Sequence, residues 1–387
     1  MKKVVLVGGG ITNSLLAIYL KRTLDTNIDI LIIDKNEEIM KKVTVTGNGK
    51  CNILNKNYFD RVIFDDKRIA DEFKLIDYDV LSNFYYEIGL PLKEKDDLVY
   101  PFNESAGQTR DYLLDLLKEY DVEILTNEIV KKYVKENNKY TVFLEKYSIS
   151  ADFLVFSTGG KSYKVLGSDD SILEEFKKHS YKVRDFKPAL CAIKVKENVK
   201  KLDGVRSKAL VKILDNNKVV FEETGEVLFK KDGLSGIVIF NASLYISSYY
   251  KSLDNLKISI NFIPELDAQV VANFKKYSGS AAILKVLTNK KLANYIVENE
   301  NTKNFDPLKA LENVVFKPHE LYGFDSSQVS VGGVCGENLT QHLESKFEPN
   351  VYFGGELLNI VGYCGGYNLS MCLASAIIIG KSIISKF

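Results

Sequence analysis

The chain has 387 residues, and its 52 Lys plus Arg against 51 Asp plus Glu leave a net charge of +1, so no global field would recruit nucleic acid or an anionic membrane. The hydrophobic fraction of 45% and the length predict two or three globular domains, which excludes disordered, collagen-like and coiled-coil chains. No apolar run reaches the ~20 residues that span a bilayer. Five scattered cysteines form neither a CxxC pair nor a disulfide framework, so we expect a cytoplasmic protein without structural zinc or a membrane partner.

The N-terminal segment predicts a strand–helix–strand unit. An apolar run over 3–7 leads into three glycines, a helical pattern follows over 15–20, and 28–33 is a second apolar run. Further predicted elements are helices over 71–90 and 109–119 and strands over 122–125, 139–144 and 153–156.

The composition changes after Pro188. Short strand patterns then occupy 189–196, 209–214, 218–222 and 257–262, and 266–300 reads as helical. We therefore predict an α/β fold in which a Rossmann-like domain is interrupted by a β-barrel-like insert carrying a helical segment. The predicted bounds are 1–187 and 331–387 for the Rossmann-like domain, 188–264 and 312–330 for the β-rich insert, and 265–311 for the helical segment.

The first glycine cluster has the pattern of a dinucleotide-binding turn. Gly8 and Gly10 allow a tight turn and close approach to a pyrophosphate, while the next helix offers unpaired N–H groups. Asp34 follows the second strand at the spacing of the carboxylate that holds a ribose. Asn13 occupies the third glycine position, so the fingerprint is incomplete. A turn without a nucleotide, or a methyltransferase, remains an alternative.

A second polar loop runs from Thr46 to Asn55. It contains two glycines, three asparagines, a lysine and a cysteine, which are more hydrogen-bonding groups than a simple turn needs. The loop could wrap a polar ligand, and a plain Asn-Gly hairpin turn is the alternative.

This loop resembles the TGNGRCNxTN signature of a bacterial family of FAD-dependent flavoproteins that includes aminoacetone oxidases and BaiN-like bile-acid enone reductases. Four further blocks are similar to motifs of the same family in the same order and extend the resemblance over nearly the whole chain. They are 157–163, 225–236 with its two glycine patterns, 329–334, and the C-terminal pair 353–358 and 365–369.

The sequence departs from the family pattern at several positions. Lys50 replaces an arginine and so lacks the planar fork for bidentate phosphate contact. The other departures are Ile11, Asn13, Leu54 and the pair Asp169-Asp170.

The resemblance implies that the Rossmann-like domain binds FAD. It places the pyrophosphate at Gly8–Gly10, the adenosine ribose at Asp34, the ribityl hydroxyls at Glu356, and the flavin ring near the helix that follows Gly366. The residues expected to bind the cofactor are Gly8, Gly9, Gly10, Asp34, Lys35, Thr46, Gly47, Asn48, Gly49, Lys50, Cys51, Asn52, Thr158, Gly159, Gly160, Gly355, Glu356, Gly365, Gly366, Tyr367, Asn368 and Leu369.

No catalytic residue can be assigned from the sequence. Cys51 lacks a nearby second cysteine, which argues against a disulfide-reductase mechanism. The three histidines are expected to have surface or structural roles. Tyr163, Tyr363 and Tyr367 lie beside glycine motifs and are candidate proton donors. In flavin enzymes the hydride chemistry belongs to the cofactor.

The sequence favours an FAD-dependent oxidoreductase acting on a small organic substrate, with reduction by NADH or NADPH as transient donor, reoxidation by oxygen, or both. A nicotinamide-dependent dehydrogenase would leave the C-terminal glycine blocks unexplained. A flavin-binding protein without turnover is the other alternative. Nucleic acid is not an expected partner, and neither the substrate nor the oligomeric state follows from the sequence.

Overall fold

The computed structural model describes residues 1–267, 269–270, 281–299 and 305–387. Contacts divide the chain into two compact units, which are described separately: unit 1 is Met1–Lys187 with Val329–Phe387, and unit 2 is Pro188–Gln328. The sequence prediction has the same first boundary, after residue 187, and places the second at 331 instead of 329.

The strands, numbered in chain order, are β1 (Lys2–Val7), β2 (Ile28–Ile33), β3 (Leu54–Asn55), β4 (Val62–Phe64), β5 (Leu92–Lys95), β6 (Leu98–Pro101), β7 (Glu123–Leu125), β8 (Lys132–Glu136), β9 (Lys139–Phe143), β10 (Ser148–Ala151), β11 (Phe153–Phe156), β12 (Val183–Ala189), β13 (Ile193–Val195), β14 (Arg206–Asp215), β15 (Lys218–Lys230), β16 (Gly233–Ser235), β17 (Leu256–Asn261), β18 (Val314–Phe316), β19 (Pro318–Leu321), β20 (Val329–Val334), β21 (Val351–Phe353) and β22 (Ile360–Gly362).

The α-helices of the described residues are α1 (Ile11–Leu24), α2 (Lys67–Lys74), α3 (Tyr78–Glu87), α4 (Ala106–Glu119), α5 (Leu173–Lys178), α6 (Ile237–Tyr249), α7 (Leu284–Leu287), α8 (Lys290–Asn299), α9 (Pro307–Glu312) and α10 (Tyr367–Ile384).

Unit 1 is built on a parallel sheet with the strand order β21-β11-β1-β2-β7. Val4–Val7 of β1, Ile30–Ile33 of β2 and all of β11 are buried apolar runs, as expected for a parallel sheet that is covered on both faces. Val7 pairs with Ile33 on one side and with Phe156 on the other, and Phe156 pairs with Phe353. The carboxyl ends of four strands therefore lie in register at one edge.

Helices α1 and α10 pack against each other. Gly380 allows this close approach, since a Cβ there would lie 2.5 Å from the ring of Tyr19. By length and composition α10 could cross a membrane, but 72% of it is buried inside the structure. Its apolar residues, such as Leu373 and Ile377, belong to the core.

Smaller sheets complete unit 1. They are β10-β9-β8, β3-β6-β5, β22-β4 and β12-β20. The sheet β3-β6-β5 is antiparallel, with Leu54 opposite Val99 and Lys95 opposite Leu98. Its strand β3 is the last part of the polar loop that carries the family signature.

Unit 2 contains a seven-stranded sheet in the order β18-β17-β14-β15-β16-β13-β19. The helix α6 packs on β15, where Gly225 lies close to α6 because a Cβ would be 3.1 Å from Val238. This contact gives a structural reason for the glycine pattern that the sequence shows in the insert.

The predicted α/β fold class is confirmed, but some elements differ from the predicted ones. The predicted helix over 71–90 is two helices, α2 and α3, because Asp77 caps a new helix by accepting a hydrogen bond from the Val80 N–H. The sequence analysis did not predict α6. Part of the predicted helical stretch over 266–300 lies outside the described residues.

Candidate functional site

The glycine turn after β1 brings two strands and a helix together. A Cβ at Gly8 would lie 2.5 Å from the Ser157 carbonyl oxygen, and the φ of Gly8 is +98°, so only glycine fits this position. Gly10 immediately precedes α1, whose N-terminal amides therefore face the end of β1. The arrangement leaves room for a phosphate group at the helix start.

Asp34 lies beside this turn, at the end of β2. Its Oδ2 accepts from the Gly9 N–H at 2.7 Å, and its Oδ1 accepts from the backbone N–H and the side-chain amide of Asn36 at 2.7 and 2.8 Å. An ionised carboxylate has about four acceptor positions. Asp34 therefore holds the turn in place and still has acceptor capacity for a ribose hydroxyl.

Asn13 explains how the chain tolerates the missing third glycine. The side chain is fully buried, and its Nδ2 donates to the carbonyl oxygens of Val7 at 3.1 Å and Gly8 at 2.8 Å. Asn13 thus ties the first turn of α1 to the end of β1, where a glycine would allow direct packing.

An open pocket lies at this edge of the sheet. Its lining includes Gly8, Asp34, Lys35, Thr158 and Asp169. The Thr158 Oγ1 is buried and has no hydrogen-bond partner among the described residues. A buried hydroxyl without a partner fits a polar ligand that is bound in the functional protein.

Two ion pairs hold the loop 167–172, which lines part of this pocket. Lys35 pairs with Asp169, and Lys161 Nζ lies 2.8 Å from Asp170. The pair Asp169-Asp170, a departure from the family pattern, thereby links the loop to β2 and to the glycine motif after β11. Gly160 packs on Ser330, whose Oγ accepts from the Lys161 N–H at 3.0 Å.

The signature loop places its polar groups in different directions. Gly47, Asn48, Gly49 and Lys50 are exposed, whereas Cys51 is buried. Lys50 Nζ lies 3.5 Å from Glu104, away from the glycine turn. The structure therefore does not bring Lys50 together with Gly8, Asp34 and Thr158.

Asn52 connects this loop to the start of α10. In the orientation in which both ends of its amide are hydrogen-bonded, the nitrogen donates to the Leu54 and Val99 carbonyl oxygens at 3.0 and 3.2 Å. Its amide oxygen accepts from the Gly366 N–H at 3.2 Å. The Asn52 side chain is thus used to hold the loop and the helix start together.

The start of α10 is built from the C-terminal glycine block. Gly366 has a φ of +85°, and a Cβ would lie 2.7 Å from the Leu54 carbonyl oxygen. Asn368 clamps the end of β22 by accepting from the Gly362 N–H at 2.8 Å and donating to the Gly362 carbonyl at 2.9 Å. Tyr367 is buried, while Gly365, Asn368 and Leu369 keep partial exposure.

Glu356 pairs with a lysine that the sequence analysis missed. Lys42 Nζ lies 2.7 Å from Glu356 Oε2. The preceding Gly355 lies so close to α1 that a Cβ would be 2.4 Å from Thr12 Oγ1. The carboxylate and the ammonium group are in direct contact and lie near the glycine turn, where a cofactor could bind beside the pair.

The Cys51 thiol is not a nucleophile in this environment. Burial raises its pKa to about 11, although a hydrogen bond with Thr46 opposes the shift. A protonated thiol is a poor nucleophile. Thr46 itself donates to the Val43 carbonyl at 2.6 Å, so it shapes the loop from inside.

Of the tyrosines named as candidate proton donors, Tyr363 has the most distinctive surroundings. The Arg61 guanidinium carbon lies 4.5 Å from its ring centroid, and the Tyr363 N–H donates to the Arg61 carbonyl. Burial raises the pKa of Tyr367, and Arg61 opposes that shift. Tyr163 begins a short helical turn in the loop after β11.

The three histidines differ from one another in their surroundings. His179 stacks on Tyr133 with 4.0 Å between ring centroids, and its Nδ1 lies 3.1 Å from Glu348. His342 lies 3.5 Å from Glu72, and His319 is exposed. Within the described residues there is no group of three or more metal-ligating side chains.

Known proteins are similar to this chain over nearly its whole length. The model of the family described as HI0933-like protein Rossmann domain matches residues 2–382. A 3-dehydro-bile acid delta(4,6)-reductase of Clostridium scindens is 29% identical over 410 residues and is covered completely, as is this chain. A ribosomal RNA dihydrouridine synthase of Escherichia coli K12 is 25% identical over 381 residues, with 92% of each chain covered.

A solved structure supports the fold alone. The 3-ketosteroid-delta4-(5alpha)-dehydrogenase from Rhodococcus jostii RHA1 has a TM-score of 0.50 at 11% identity, covering 98% of this chain and 96% of the other. The family resemblance, the α/β fold and the assignment as an enzyme are thus confirmed. The chain belongs to the HI0933-like Rossmann family.

Proposed function

We propose that the protein reduces a carbon–carbon double bond conjugated to a carbonyl group in a small organic substrate. The observation that carries the cofactor part of this proposal is the convergence of Gly8, Asp34, Thr158 and Gly355 at one edge of the parallel sheet. Ligands of open α/β sheets bind at the carboxyl ends of the strands.

The residues at this edge fit FAD. The close approach at Gly8 leaves no side chain in the way of a pyrophosphate, and the buried Thr158 hydroxyl offers an unused hydrogen bond. The amides at the start of α1 would bind the phosphates, and Asp34 the adenosine ribose. When bound, FAD supplies a ring that takes up a hydride and passes it to a substrate.

The ion pair between Lys42 and Glu356 would orient the middle of the cofactor. The Glu356 carboxylate accepts hydrogen bonds from hydroxyl groups, and the Lys42 ammonium donates to phosphate oxygens. Gly365 and Gly366 precede α10, whose N-terminal amides carry partial positive charge. This end of α10 would face the electron-rich edge of the ring.

The relatives' names support the type of reaction. One name describes reduction of a delta(4,6) bile acid that carries a 3-oxo group, and the other describes conversion of uridine to dihydrouridine. Both reactions saturate a carbon–carbon double bond that is conjugated to a carbonyl group. Arg61, stacked on Tyr363, supplies a cation that could bind such a carbonyl oxygen.

A uridine in ribosomal RNA is a second candidate substrate, because two of the relatives carry that name. The net charge of +1 does not favour binding to a polyanion, and the more similar relative acts on a small molecule by its name. We therefore propose a small-molecule substrate and a cytoplasmic location, the latter because the five scattered cysteines form neither a CxxC pair nor a disulfide framework in the sequence.

We further propose NADH or NADPH as a transient hydride donor at the face of the flavin. The sequence has a single strand–glycine–helix–strand–acid unit, and the cofactor would occupy it. A donor would then have to bind and leave without a Rossmann module of its own. Reoxidation by oxygen is a separate possibility, which the same assay measures.

The test begins with the absorbance spectrum of the purified protein and the identity of the released flavin. Anaerobic bleaching by NADH and NADPH is followed next, and then reoxidation by cyclohexenone, by a 3-oxo-4-ene steroid and by oxygen. We expect bound FAD, bleaching by at least one nicotinamide, and reoxidation by a conjugated enone. Reoxidation by a uridine-containing RNA and by neither enone would overturn the small-molecule assignment.

A further inference from the structure

One face of the sheet β3-β6-β5 combines positive charge with aromatic and apolar surface. Lys93 is opposite Tyr100, and Lys95 is opposite Leu98. Residues that are directly opposite in antiparallel strands point to the same face, and so do residues two positions apart. Lys93, Lys95, Leu98 and Tyr100 therefore share one face, and Lys95 Nζ lies 5.6 Å from the centroid of the Tyr100 ring.

This face begins at the glycine block that precedes α10. Asn55 is opposite Leu98 and donates to the Gly365 carbonyl at 2.8 Å. A Cβ at Gly365 would lie 3.6 Å from Leu98 Cδ2. Residues two apart in a strand are separated by about 7 Å, so Tyr100 lies about 7 Å along β6 from Leu98, which is the residue next to Gly365.

At the other end of the face, three lysines gather on one carboxylate. The distances to Glu104 oxygens are 2.8 Å from Lys93, 2.7 Å from Lys95 and 3.5 Å from Lys50. Hydrogen bonds from Lys93 and Lys95 lower the pKa of Glu104 to about 2, so the carboxylate is ionised at neutral pH. Three cations and one anion leave a formal charge of +2.

The other acidic residues of the hairpin do not cancel this charge at the same place. Glu94 is opposite Val99, on the other face of the sheet, and pairs with Lys56. Asp96 and Asp97 form the turn between β5 and β6, whereas the ammonium groups meet at Glu104 beyond the far end of β6. Phe102, just after β6, is 67% exposed and adds apolar surface at the charged end. A positive end with adjacent exposed aromatic surface is complementary to an amphipathic anion.

We propose that this face binds an amphipathic organic anion, whose flat apolar body lies over Leu98 and Tyr100 and whose carboxylate pairs with Lys93, Lys95 and Lys50. The inference rests on the proposed function, because it places the reactive end of the substrate at the start of α10. It specifies the substrate class: a conjugated carbonyl compound with a carboxylate at the opposite end.

Binding can be tested without turnover. The FAD-loaded protein is titrated with 1-pyrenebutyrate, which has a flat apolar body and a carboxylate, and with the neutral 1-pyrenebutyramide, and fluorescence anisotropy is measured. We expect the carboxylate to bind more tightly than the amide and to lose this advantage in high salt. Equal affinities at low salt would overturn the proposal.

The variants give effects of opposite sign. Lys93→Gln with Lys95→Gln should raise the Kd of pyrenebutyrate about three- to tenfold and leave that of the amide unchanged. Glu104→Gln should lower the Kd of pyrenebutyrate, since it releases the lysines. Lys182→Gln is the matched control, because Lys182 is an exposed lysine of unit 1 that pairs with Glu337 at 2.7 Å.

A weaker affinity of Glu104→Gln for pyrenebutyrate would contradict the proposal, since it would indicate that Glu104 only maintains the local structure. Displacement of pyrenebutyrate by an oligouridylate at lower concentration than by any small carboxylate would also overturn it and favour RNA. These outcomes differ from failure of the proposed function, in which the anion binds but no enone reoxidises the reduced protein.

Discussion

Lys42 and Glu356 are 314 positions apart in the sequence, and their side chains meet with 2.7 Å between Nζ and Oε2. Lys42 lies just before the signature loop, and Glu356 just after β21, so the pair joins the N-terminal and C-terminal segments of unit 1. Both side chains are about three quarters buried. The pair therefore provides a positive and a negative group at fixed positions beside the glycine turn.

We predict that Glu356→Ala weakens FAD binding about ten- to more than a hundredfold. Loss of a hydrogen bond to a charged group typically costs ~1.5 to 3 kcal/mol, which corresponds to this range of affinities. Lys42→Met should weaken FAD binding as well, because it leaves the carboxylate without its cation. Fluorescence titration of the apoprotein with FAD measures both effects.

Glu337→Ala serves as the control, because Glu337 forms an exposed ion pair with Lys182 in the same unit. It should leave the affinity for FAD unchanged. If Glu356→Ala retains the affinity of the wild type, Glu356 does not bind the cofactor and serves only as the partner of Lys42.

Much of the cofactor-binding edge could be predicted from the sequence because its parts follow strand ends. Gly8, Asp34, Thr158 and Gly355 each come one or two residues after an apolar strand. In a parallel sheet those ends lie at the same edge, so a local pattern implies a shared location. The order of the strands was not needed for this inference.

Other roles depend on side-chain directions that no local pattern reveals. Asn52 and Lys50 are two residues apart in one polar loop, yet Asn52 holds the start of α10 and Lys50 reaches Glu104. The partner of Glu356 was missed because Lys42 lies in a lysine-rich chain, where one more lysine carries no signal. The helix α6 was missed because its apolar residues show no clear one-sided pattern, consistent with a largely buried helix.

Gly366→Ala should lower the stability of unit 1 and the occupancy by FAD together. The new Cβ would lie 2.7 Å from the Leu54 carbonyl oxygen and 2.8 Å from the side-chain amide of Asn52, at a φ that disfavours alanine. Gly107→Ala, near the start of α4, meets no atom within 4 Å and should raise stability by about 0.5 to 1 kcal/mol. Thermal unfolding and flavin content measure both variants. An unchanged melting temperature in Gly366→Ala would contradict the tight packing at this position.

Asn13→Ala should destabilise the protein by about 1 to 3 kcal/mol without a direct contact to FAD. The substitution removes the amide donor that the Val7 and Gly8 carbonyl groups now share, and only the Val7 carbonyl has a further donor, the Ser157 N–H. Asn13→Asp should cost more, because it removes the donor and buries a charge. Urea unfolding of the three proteins tests this order, and an alanine variant as stable as the wild type would show that the two hydrogen bonds contribute nothing.

The Cys51 thiol should make stability fall at alkaline pH. Burial raises its pKa in the folded protein to about 11 from an ordinary value near 9. Below pH 9 the thiol is protonated in the folded and in the unfolded protein, so its ionisation does not lower the free energy of unfolding there. As the pH rises towards 11 the unfolded chain loses this proton first, so the free energy of unfolding falls by about 1.4 kcal/mol per pH unit for this group.

Comparison with Cys51→Ala isolates this contribution, because the other titrating groups are common to both proteins. The difference in free energy of unfolding between wild type and variant should shrink between pH 9 and 11, since only the wild type has the thiol that ionises on unfolding. Val99→Ala is the control: Val99 is fully buried and does not titrate, so its difference from wild type should stay constant over the same range. Urea unfolding at half-unit steps of pH gives both differences. A constant difference for Cys51→Ala would mean that the thiol has the same pKa in the folded and unfolded chains, and hence that water reaches it in the folded protein.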